Sequence, residues 1–119
     1  MQLSVLSQEE DDVSVVRLAE RLTPENHPAD TDELVALLGA DVYSRQVLLD
    51  LAECKFIDSS GISWLLVRHK RFRESGGRMV LFSIPPMIDQ VIRVLRLQIV
   101  FCLATDEKSA RAMLAEPEK

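Results

Sequence analysis

Hydrophobic residues occur in short blocks along this chain, separated by polar segments that favour turns. Residues 3–6 are apolar, and residues 13–18 are rich in β-branched side chains. The polar, acidic stretch at residues 8–12 joins these two blocks, which predicts an antiparallel hairpin. Its four adjacent acids lack the spacing and the glycine of a calcium loop, so we expect a solvated hairpin tip rather than a metal site.

The middle of the chain predicts the first two helices and one further strand. A helix should begin near Thr31 or Asp32 and end at Gly39. The apolar run at residues 47–51, with residues 56–57 shortly after it, is typical of one strand buried on both faces in a parallel sheet. From there to residue 75 the apolar spacing becomes helical. The stripe on this second helix consists of Ile62, Leu65, Leu66, His69 and Phe72.

The last third of the chain continues the alternation of strand and helix. Two glycines at residues 76–77 end the second helix. Residues 79–82 predict a buried strand and residues 100–103 a short strand. Between them, Pro85 and Pro86 open a helix that is predicted to run from Met87 to Leu95. A final helix should open at residues 106–107. The side chains expected to face inward on these two helices are Ile88, Val91, Ile92, Leu95, Ala110, Met113 and Leu114.

The predicted order of elements is therefore β-β-α-β-α-β-α-β-α. A hairpin followed by alternating helices and strands indicates an α/β domain with a single, mostly parallel sheet and one antiparallel edge. A length of 119 residues, 47% of them hydrophobic, fits one globular domain. We place that domain at residues 1–116 and expect a frayed tail at residues 117–119.

The charge balance argues against two classes of partner. The chain has 14 basic and 19 acidic residues and a net charge of -5, which is unfavourable for sequence-independent binding to nucleic acid. No apolar run approaches the roughly 20 residues of a membrane span. The first residues also lack the basic and apolar parts of a signal peptide. We therefore expect a cytoplasmic protein with no membrane partner and no nucleic-acid partner.

Cysteines and histidines are too scattered to suggest a metal or cofactor site. Cys54 and Cys102 lie far apart and form no cluster with His27 or His69. Cys102 lies within an apolar run and is expected to be a buried free thiol, whereas Cys54 stands between two charged residues. His69 lies on the helical stripe and is expected to be packed or half-exposed.

A basic cluster follows the middle of the second predicted helix. We expect its members to lie mostly off the apolar stripe, where cations near a helix C-terminus complement the dipole. Contact with an acidic partner is the alternative. The cluster consists of Arg68, Lys70, Arg71, Arg73 and Arg78.

The segment with the most distinctive chemistry is Asp58, Ser59, Ser60 and Gly61, between a strand and a helix. Partners of open α/β sheets gather at the carboxyl ends of strands. Asp58 or Ser59 can cap the helix, and capping alone would explain these residue types. The functional interpretation is phosphorylation of one serine. A phosphate carries about -1.5 to -2 charge and meets the positive end of the helix dipole, so it would change an exposed surface without unfolding the helix.

The surroundings of this turn resemble a known family. The apolar run at residues 47–51, the motif FIDSSGI at residues 56–62 and WLL at residues 64–66 are similar to the STAS domain of bacterial anti-sigma factor antagonists. The similarity continues through residues 76–81, the helix at residues 86–97 and the strand at Phe101, and so covers nearly the whole chain.

The resemblance implies a regulatory protein that is not an enzyme. In the family, the serine directly after the aspartate is phosphorylated by the partner anti-sigma factor, which is also a serine kinase; here that residue is Ser59. The unphosphorylated form binds the anti-sigma factor and releases the sigma factor, and a phosphatase resets the cycle. The expected partner surface contains Asp58, Ser60, Gly61, Ile62 and Trp64. Trp64 lies off the main stripe and is either a core residue or an exposed anchor.

Two positions depart from the family pattern. Thr23 replaces an aspartate that the family usually has near the phosphorylation site, and Arg96 stands where the family tends to have glycine. The first departure keeps an alternative open. In that alternative the chain is a STAS scaffold module that is never phosphorylated and works in a stress-signalling or transporter-associated complex.

Two other classes fit the residues less well. A receiver domain would use Asp58 as phosphoacceptor, but it needs acids after the first strand that lead into a helix, and a lysine after a later strand. Here residues 9–12 lead into another strand, and residues 83–85 are Ser-Ile-Pro. A serine hydrolase would need a Gly-x-Ser-x-Gly elbow, which the turn lacks.

Overall fold

The computed structural model describes residues 2–8, 13–22 and 32–114. Across these ranges the hydrophobic blocks form six strands and four α-helices, in an α/β arrangement as predicted. The strands are β1 (Gln2–Gln8), β2 (Val13–Leu22), β3 (Gln46–Asp50), β4 (Cys54–Ile57), β5 (Arg78–Phe82) and β6 (Cys102–Ala104). The helices are α1 (Glu33–Leu38), α2 (Ser59–Ser75), α3 (Pro86–Val94) and α4 (Glu107–Leu114), with 3-10 turns at Val42–Ser44 and Leu97–Ile99.

The main sheet has the strand order β1-β2-β3-β5-β6. β1 is antiparallel to β2, and each of the other neighbouring pairs in this row is parallel. The predicted mostly parallel sheet with one antiparallel edge is therefore confirmed. Because the carboxyl ends of parallel strands lie at one edge, the loops that leave β3, β5 and β6 share that edge of the sheet.

The predicted single strand at residues 47–57 is two strands in the structure. The carboxylate of Asp50 accepts a hydrogen bond from the backbone N–H of Ala52 at 2.9 Å. A second bond, from the N–H of Cys54 to the carbonyl oxygen of Leu51 at 3.0 Å, closes the turn that ends β3. β4 then pairs in parallel with the far end of β2, outside the main row. The helix-opening turn therefore follows β4, which the predicted order of elements omits.

Two apolar cores lie on opposite faces of the sheet. Helices α1, α2 and α3 cover one face, where Leu34, Leu65 and Ile88 are fully buried. Helix α4 lies on the other face, where Ala110 is buried against side chains such as Val80. The inward orientation predicted for Ala110 is confirmed, and the sheet forms one layer between two layers of helices.

The end of α3 differs from the prediction. Leu95 was expected to face inward, but it is 53% exposed. The helix ends at Val94, and Arg96 then adopts the left-handed region with φ 59°, which breaks the helical path before Leu97 packs against the larger core. Val100 was expected in the last strand, but it is 37% exposed and precedes β6, which begins at Cys102.

The full burial predicted for Cys102 was wrong, and Cys54, whose charged neighbours left its burial open, is the more buried of the two thiols. Cys54 is buried in the larger core, whereas Cys102 is half-buried on the sheet face under α4. His69 is buried, with its ring edge-on to Phe101 at 5.6 Å between centroids, in agreement with the packed interpretation.

Some predictions fall outside the described residues. These concern the acidic loop at residues 9–12, Thr23, His27 and the tail at residues 117–119. Within the described ranges, no helix is both long and apolar enough to cross a membrane. The same ranges contain no group of three or more His, Cys, Asp or Glu side chains that could hold a metal ion.

A set of hydrogen bonds fixes the start of α1, directly after Asp32 as predicted. One carboxylate oxygen of Asp32 accepts the N–H groups of Leu34 and Val35 at 3.0 and 3.2 Å. The other accepts the hydroxyl of Tyr43 at 2.6 Å and the guanidinium of Arg71 at 2.7 Å. Burial raises the pKa of Asp32, but the bond from Tyr43 and the nearby N–H and guanidinium groups outweigh it, so the net pKa is below its usual value.

The guanidinium of Arg68 lies between α1 and α2. It is buried, 3.8 Å from carboxylate oxygens of both Asp32 and Glu33, and 5.0 Å from the centre of the Trp64 ring. The indole N–H of Trp64 donates to Glu33 at 3.0 Å. The expectation that Arg68 lies off the buried face of α2 was wrong, because two acids of α1 neutralise its charge there.

The two glycines after α2 serve different purposes. Gly76 adopts the left-handed region with φ 84° and has open space where a Cβ would lie. A Cβ on Gly77 would lie 2.3 Å from the carbonyl oxygens of Tyr43 and Arg45, and the N–H of Gly77 donates to Tyr43 at 3.0 Å. The pair ends α2 as predicted, and Gly77 also permits close contact with the segment before β3.

Replacing Asp32 with alanine should lower the free energy of unfolding by about 2 kcal/mol, because it removes a helix cap and leaves Arg68 short of a counter-charge. The lowered pKa of Asp32 stabilises the fold above pH about 4, and this contribution is lost as the pH falls further. The variant should therefore lose less stability on acidification than the wild type. Urea denaturation at several pH values measures both effects.

The matched control for this variant is Asp41→Ala. Asp41 is also an acid next to α1, but its side chain is 73% exposed and lies 3.4 Å from Arg45. Its removal should change the free energy of unfolding by less than about 0.5 kcal/mol. Equal losses in the two variants would contradict the role given to Asp32.

Gly77→Ala should destabilise the fold by about 3 kcal/mol, because the new Cβ meets two backbone carbonyl oxygens that cannot easily move. Gly76→Ala should cost about 1 kcal/mol, since it only places a Cβ in the left-handed region. Chemical denaturation of both variants tests the difference. A larger loss in Gly76→Ala would show that the contact at Gly77 is not close.

Candidate functional site

The turn between β4 and α2 is organised around one carboxylate. Asp58 is the N-cap residue of α2, with an extended backbone. Its Oδ1 atom accepts the backbone N–H of Gly61 at 3.0 Å and the hydroxyl of Ser60 at 2.6 Å. The capping role anticipated for Asp58 is confirmed, and the hydroxyl of Ser60 is part of that cap.

Ser59 is in a different situation from Ser60. It is the first residue of α2 and is exposed. Within the part of the chain that the structure describes, its hydroxyl has no hydrogen-bond partner, whereas the hydroxyl of Ser60 is half-buried and bonded to Asp58. Only the hydroxyl of Ser59 therefore combines exposure with freedom from the cap, although both serines lie at the helix N-terminus.

The charge at this turn is negative at neutral pH. The hydroxyl of Ser60, followed by the N–H of Gly61, lowers the pKa of Asp58 below its usual value, so its carboxylate stays ionised. The positive end of the α2 dipole lies beside it. The turn thus combines a fixed carboxylate, a free hydroxyl and a helix N-terminus that favours added negative charge.

Three of the predicted contact residues are buried in the free chain. Gly61 is enclosed at the first turn of α2, and the side chains of Ile62 and Trp64 are 7% and 5% exposed. For Trp64 the structure supports the core interpretation, with its indole bonded to Glu33. Direct contact of these three residues with a partner stays a prediction.

Exposed side chains that the sequence interpretation did not assign to the site lie near the turn. Phe56 of β4 was expected in a buried strand, but it is 36% exposed. On α2, Ser63 is exposed and Val67 is 44% exposed, at positions four and eight residues after Ser59 and so on the same helix face. A helical projection of α2 could have identified Val67, because it is apolar and lies off the buried stripe.

The predicted basic cluster does not form one surface. Arg68 is buried and Arg71 bonds to Asp32. Arg78 donates to the carbonyl oxygen of Met113 at 2.7 Å, which ties the start of β5 to α4. These three cations serve contacts inside the domain, while Lys70 and Arg73 are exposed on α2.

Comparison with known proteins agrees with this geometry. The family model described as the STAS domain matches residues 4–110. BtrV of Bordetella bronchiseptica, which carries the name of an anti-sigma factor antagonist, is 30% identical over 86 residues, or 71% of this chain and 74% of BtrV.

Solved structures show the same fold. The Thermotoga maritima protein TM1081, also assigned as an anti-sigma factor antagonist, superposes with a TM-score of 0.77 at 20% identity, covering 89% of this chain and 90% of TM1081. The antagonist SpoIIAA in its unphosphorylated form superposes with a TM-score of 0.62 at 18% identity, over 98% of this chain and 100% of that one. SpoIIAA from Bacillus has also been solved in a phosphorylated form, with a TM-score of 0.60 at 21% identity, over 94% and 97% of the two chains.

The family match covers most of the sequence, and both the sheet topology and the strand–turn–helix motif at Asp58 agree with it. The chain therefore belongs to the STAS domain family and, within it, is similar to the anti-sigma factor antagonists.

Proposed function

We propose that this protein is an anti-sigma factor antagonist that binds an anti-sigma factor with serine kinase activity, and that phosphorylation of Ser59 ends the binding. The observation that carries the proposal is the exposed, unbonded hydroxyl of Ser59 at the first position of α2, next to a serine whose hydroxyl is held in the cap. The existence of SpoIIAA, a protein of the same fold, in unphosphorylated and phosphorylated forms supports it.

In the proposed reaction the Ser59 hydroxyl oxygen attacks the γ-phosphorus of ATP held by the kinase. The bond from that phosphorus to the bridging oxygen breaks, ADP leaves, and the hydroxyl proton passes to a base on the kinase. The antagonist supplies the acceptor and no catalytic group, so it is a substrate of the enzyme. A phosphatase reverses the step by hydrolysis.

The phosphorylated turn would keep its fold but lose its partner. A phosphate at the first position of α2 meets the positive end of the helix dipole, which is worth roughly 0.3–1 kcal/mol. The same group places about two further negative charges next to the ionised Asp58. An anti-sigma factor that buries this turn would have to desolvate both anions, and the cost falls on binding rather than on folding.

The proposed contact surface extends beyond the turn. Asp58, Ser59 and Ser60 form its centre, the exposed side chain of Val67 lies on the same face of α2 as Ser59, and the exposed Phe56 of β4 lies two residues before Asp58. Apolar side chains beside a polar centre are typical of protein interfaces. The proposed setting is the cytoplasm, where the kinase has access to ATP.

Incubating the chain with ATP and the anti-sigma factor kinase from its own genome should add one phosphate, which peptide mass spectrometry should place on Ser59. Ser59→Ala should abolish the label, because it removes the only free hydroxyl at the turn within the described residues. Ser60→Ala should still be labelled on Ser59, and serves as the control because it changes the neighbouring hydroxyl. Label on Asp58 or Ser60, or no label, would overturn the phosphorylation step and favour the scaffold alternative.

Ser59→Asp should weaken binding to the anti-sigma factor at least about tenfold, because it adds a charge where the partner must dehydrate the turn. Its melting temperature should stay within about 2 °C of the wild type, since an acid at a helix N-terminus is well tolerated. Calorimetric titration and thermal denaturation measure these two quantities.

The control is Ser75→Asp, which places the same charge at the exposed far end of α2. It should leave the affinity unchanged and cost a few tenths of a kcal/mol in stability, because an acid is unfavourable at a helix C-terminus. Equal affinity of the Ser59→Asp variant and the wild type would show that the partner does not bind this turn.

A further inference from the structure

The segment from the end of α3 to the start of β6 exposes an unusual amount of apolar surface. Val94 and Ile99 are 74% and 81% exposed, and Leu95 and Val100 are 53% and 37% exposed. These four residues fall within seven consecutive positions, and we call them the α3-end patch. Single exposed apolar residues are ordinary, but a contiguous group of this kind is typical of a binding surface.

The α3-end patch lies at the opposite edge of the sheet from the Ser59 turn. Helix α3 leaves the carboxyl end of β5 and returns the chain to the amino end of β6, which is parallel to β5. The end of α3 and the turn at Leu97–Ile99 therefore lie at the amino-end edge. The Asp58 turn follows the carboxyl end of β4, which is parallel to β2. A molecule bound at one edge leaves the other accessible.

A strained arginine stands in the middle of the patch. Arg96 adopts φ 59° and ψ 29°, a left-handed conformation that is unfavourable for any residue with a Cβ. Glycine would adopt the same backbone without strain. Residues strained in this way cluster at binding sites and switch regions, where the side chain has a use. Arg96 is exposed and makes no ion pair among the described residues, so that use does not lie within this part of the domain.

The charge around the patch is of one sign. Residues 90–100 contain two arginines and no acid. Arg93 pairs with Asp89 at 2.9 Å, one turn earlier on α3, which leaves the charge of Arg96 uncompensated among the described residues. This local positive charge contrasts with a net charge of -5 for the whole chain.

We propose that the α3-end patch is a second docking surface. It binds an amphipathic helix of a different protein, and that helix carries acidic residues along the border of its apolar stripe. The apolar stripe of the bound helix covers Val94, Leu95 and Ile99, and the acids of that helix pair with Arg96. Because the surface lies at the edge opposite the Ser59 turn, the domain holds this second partner whatever the phosphorylation state of Ser59.

A second copy of the chain fits the patch less well. A symmetric dimer brings the same surface of both subunits together, so Arg96 of one subunit would lie near Arg96 of the other. Like charges that face each other across an interface oppose association. The charge of the patch therefore favours a partner of opposite sign.

Selection from a display library of random peptides about four helical turns long tests the proposal. The wild type should enrich peptides that combine acids with apolar residues at helical spacing. Ile99→Asp should bind these peptides at least about tenfold more weakly, and so should Arg96→Glu, because each removes one half of the recognition. Leu6→Asp, at a β1 side chain that is 44% exposed, is the matched control and should bind them unchanged.

Two further measurements separate this role from a structural one. Arg96→Gly should weaken peptide binding and raise the melting temperature by about 3 °C, because it relieves the left-handed strain. Amide shift changes in NMR spectra with an enriched peptide should fall on residues 90–100 and leave residues 58–63 unchanged. A lower melting temperature for Arg96→Gly would assign the arginine to the fold and overturn its binding role.

Other outcomes would overturn the proposal. These are a failure to enrich peptides above the Ile99→Asp variant, enrichment of peptides without acids, or shift changes at the Ser59 turn. Concentration-dependent dimerisation of the wild type in analytical ultracentrifugation, abolished by Ile99→Asp, would assign the patch to a second copy of this chain.

Discussion

The buried guanidinium of Arg68 requires nearby counter-charges, and the packing of α1 against α2 supplies them. A charge removed from water must have counter-charges close by, and here they come from Asp32 and Glu33 at the start of α1. The same two acids bind the hydroxyl of Tyr43 and the indole of Trp64, so one set of polar contacts joins α1, the turn before β3 and α2. A buried pair of this kind adds little net stability, but it fixes one relative position of the helices. That position determines where α2 presents Ser59.

This polar contact also marks the boundary of what the sequence could predict. The parallel sheet, the antiparallel edge and the cap at Asp32 follow from local patterns, and the structure agrees with them. The burial of Arg68 does not follow from such patterns, because hydrophobic periodicity treats a paired cation as solvent-exposed. β4 was missed for a related reason: its pairing with the far end of β2 is a long-range contact between short segments that the sequence does not mark.

The site was predictable to a similar degree. Sequence and resemblance together selected Asp58 and Ser59, and the structure adds the reason that the two serines differ: the cap takes up one hydroxyl and leaves the other in solvent. The burial of Trp64 and the exposure of Phe56 depend on how α2 and β4 lie against the rest of the domain. The residue types at Asp58 and Ser59 were therefore enough to locate the centre of the candidate site, whereas the exposed residues around that centre could be identified only from the tertiary structure.

The position of β4 outside the main row of strands has a consequence for how the domain moves and how it diverges. β4 is held by a short ladder to the tip of β2, with an irregular register between residues 20 and 21 of β2. Short peripheral ladders open by local unfolding at a small fraction of the free energy that opens a core strand. The turn that carries Ser59 is therefore anchored in the larger core on its α2 side, through residues such as Leu65, and is held on its β4 side by this short ladder. Substitutions at the exposed positions of β4, Lys55 and Phe56, therefore change the surface beside the turn and leave the core side chains in place, which offers a route to different partners on the same fold.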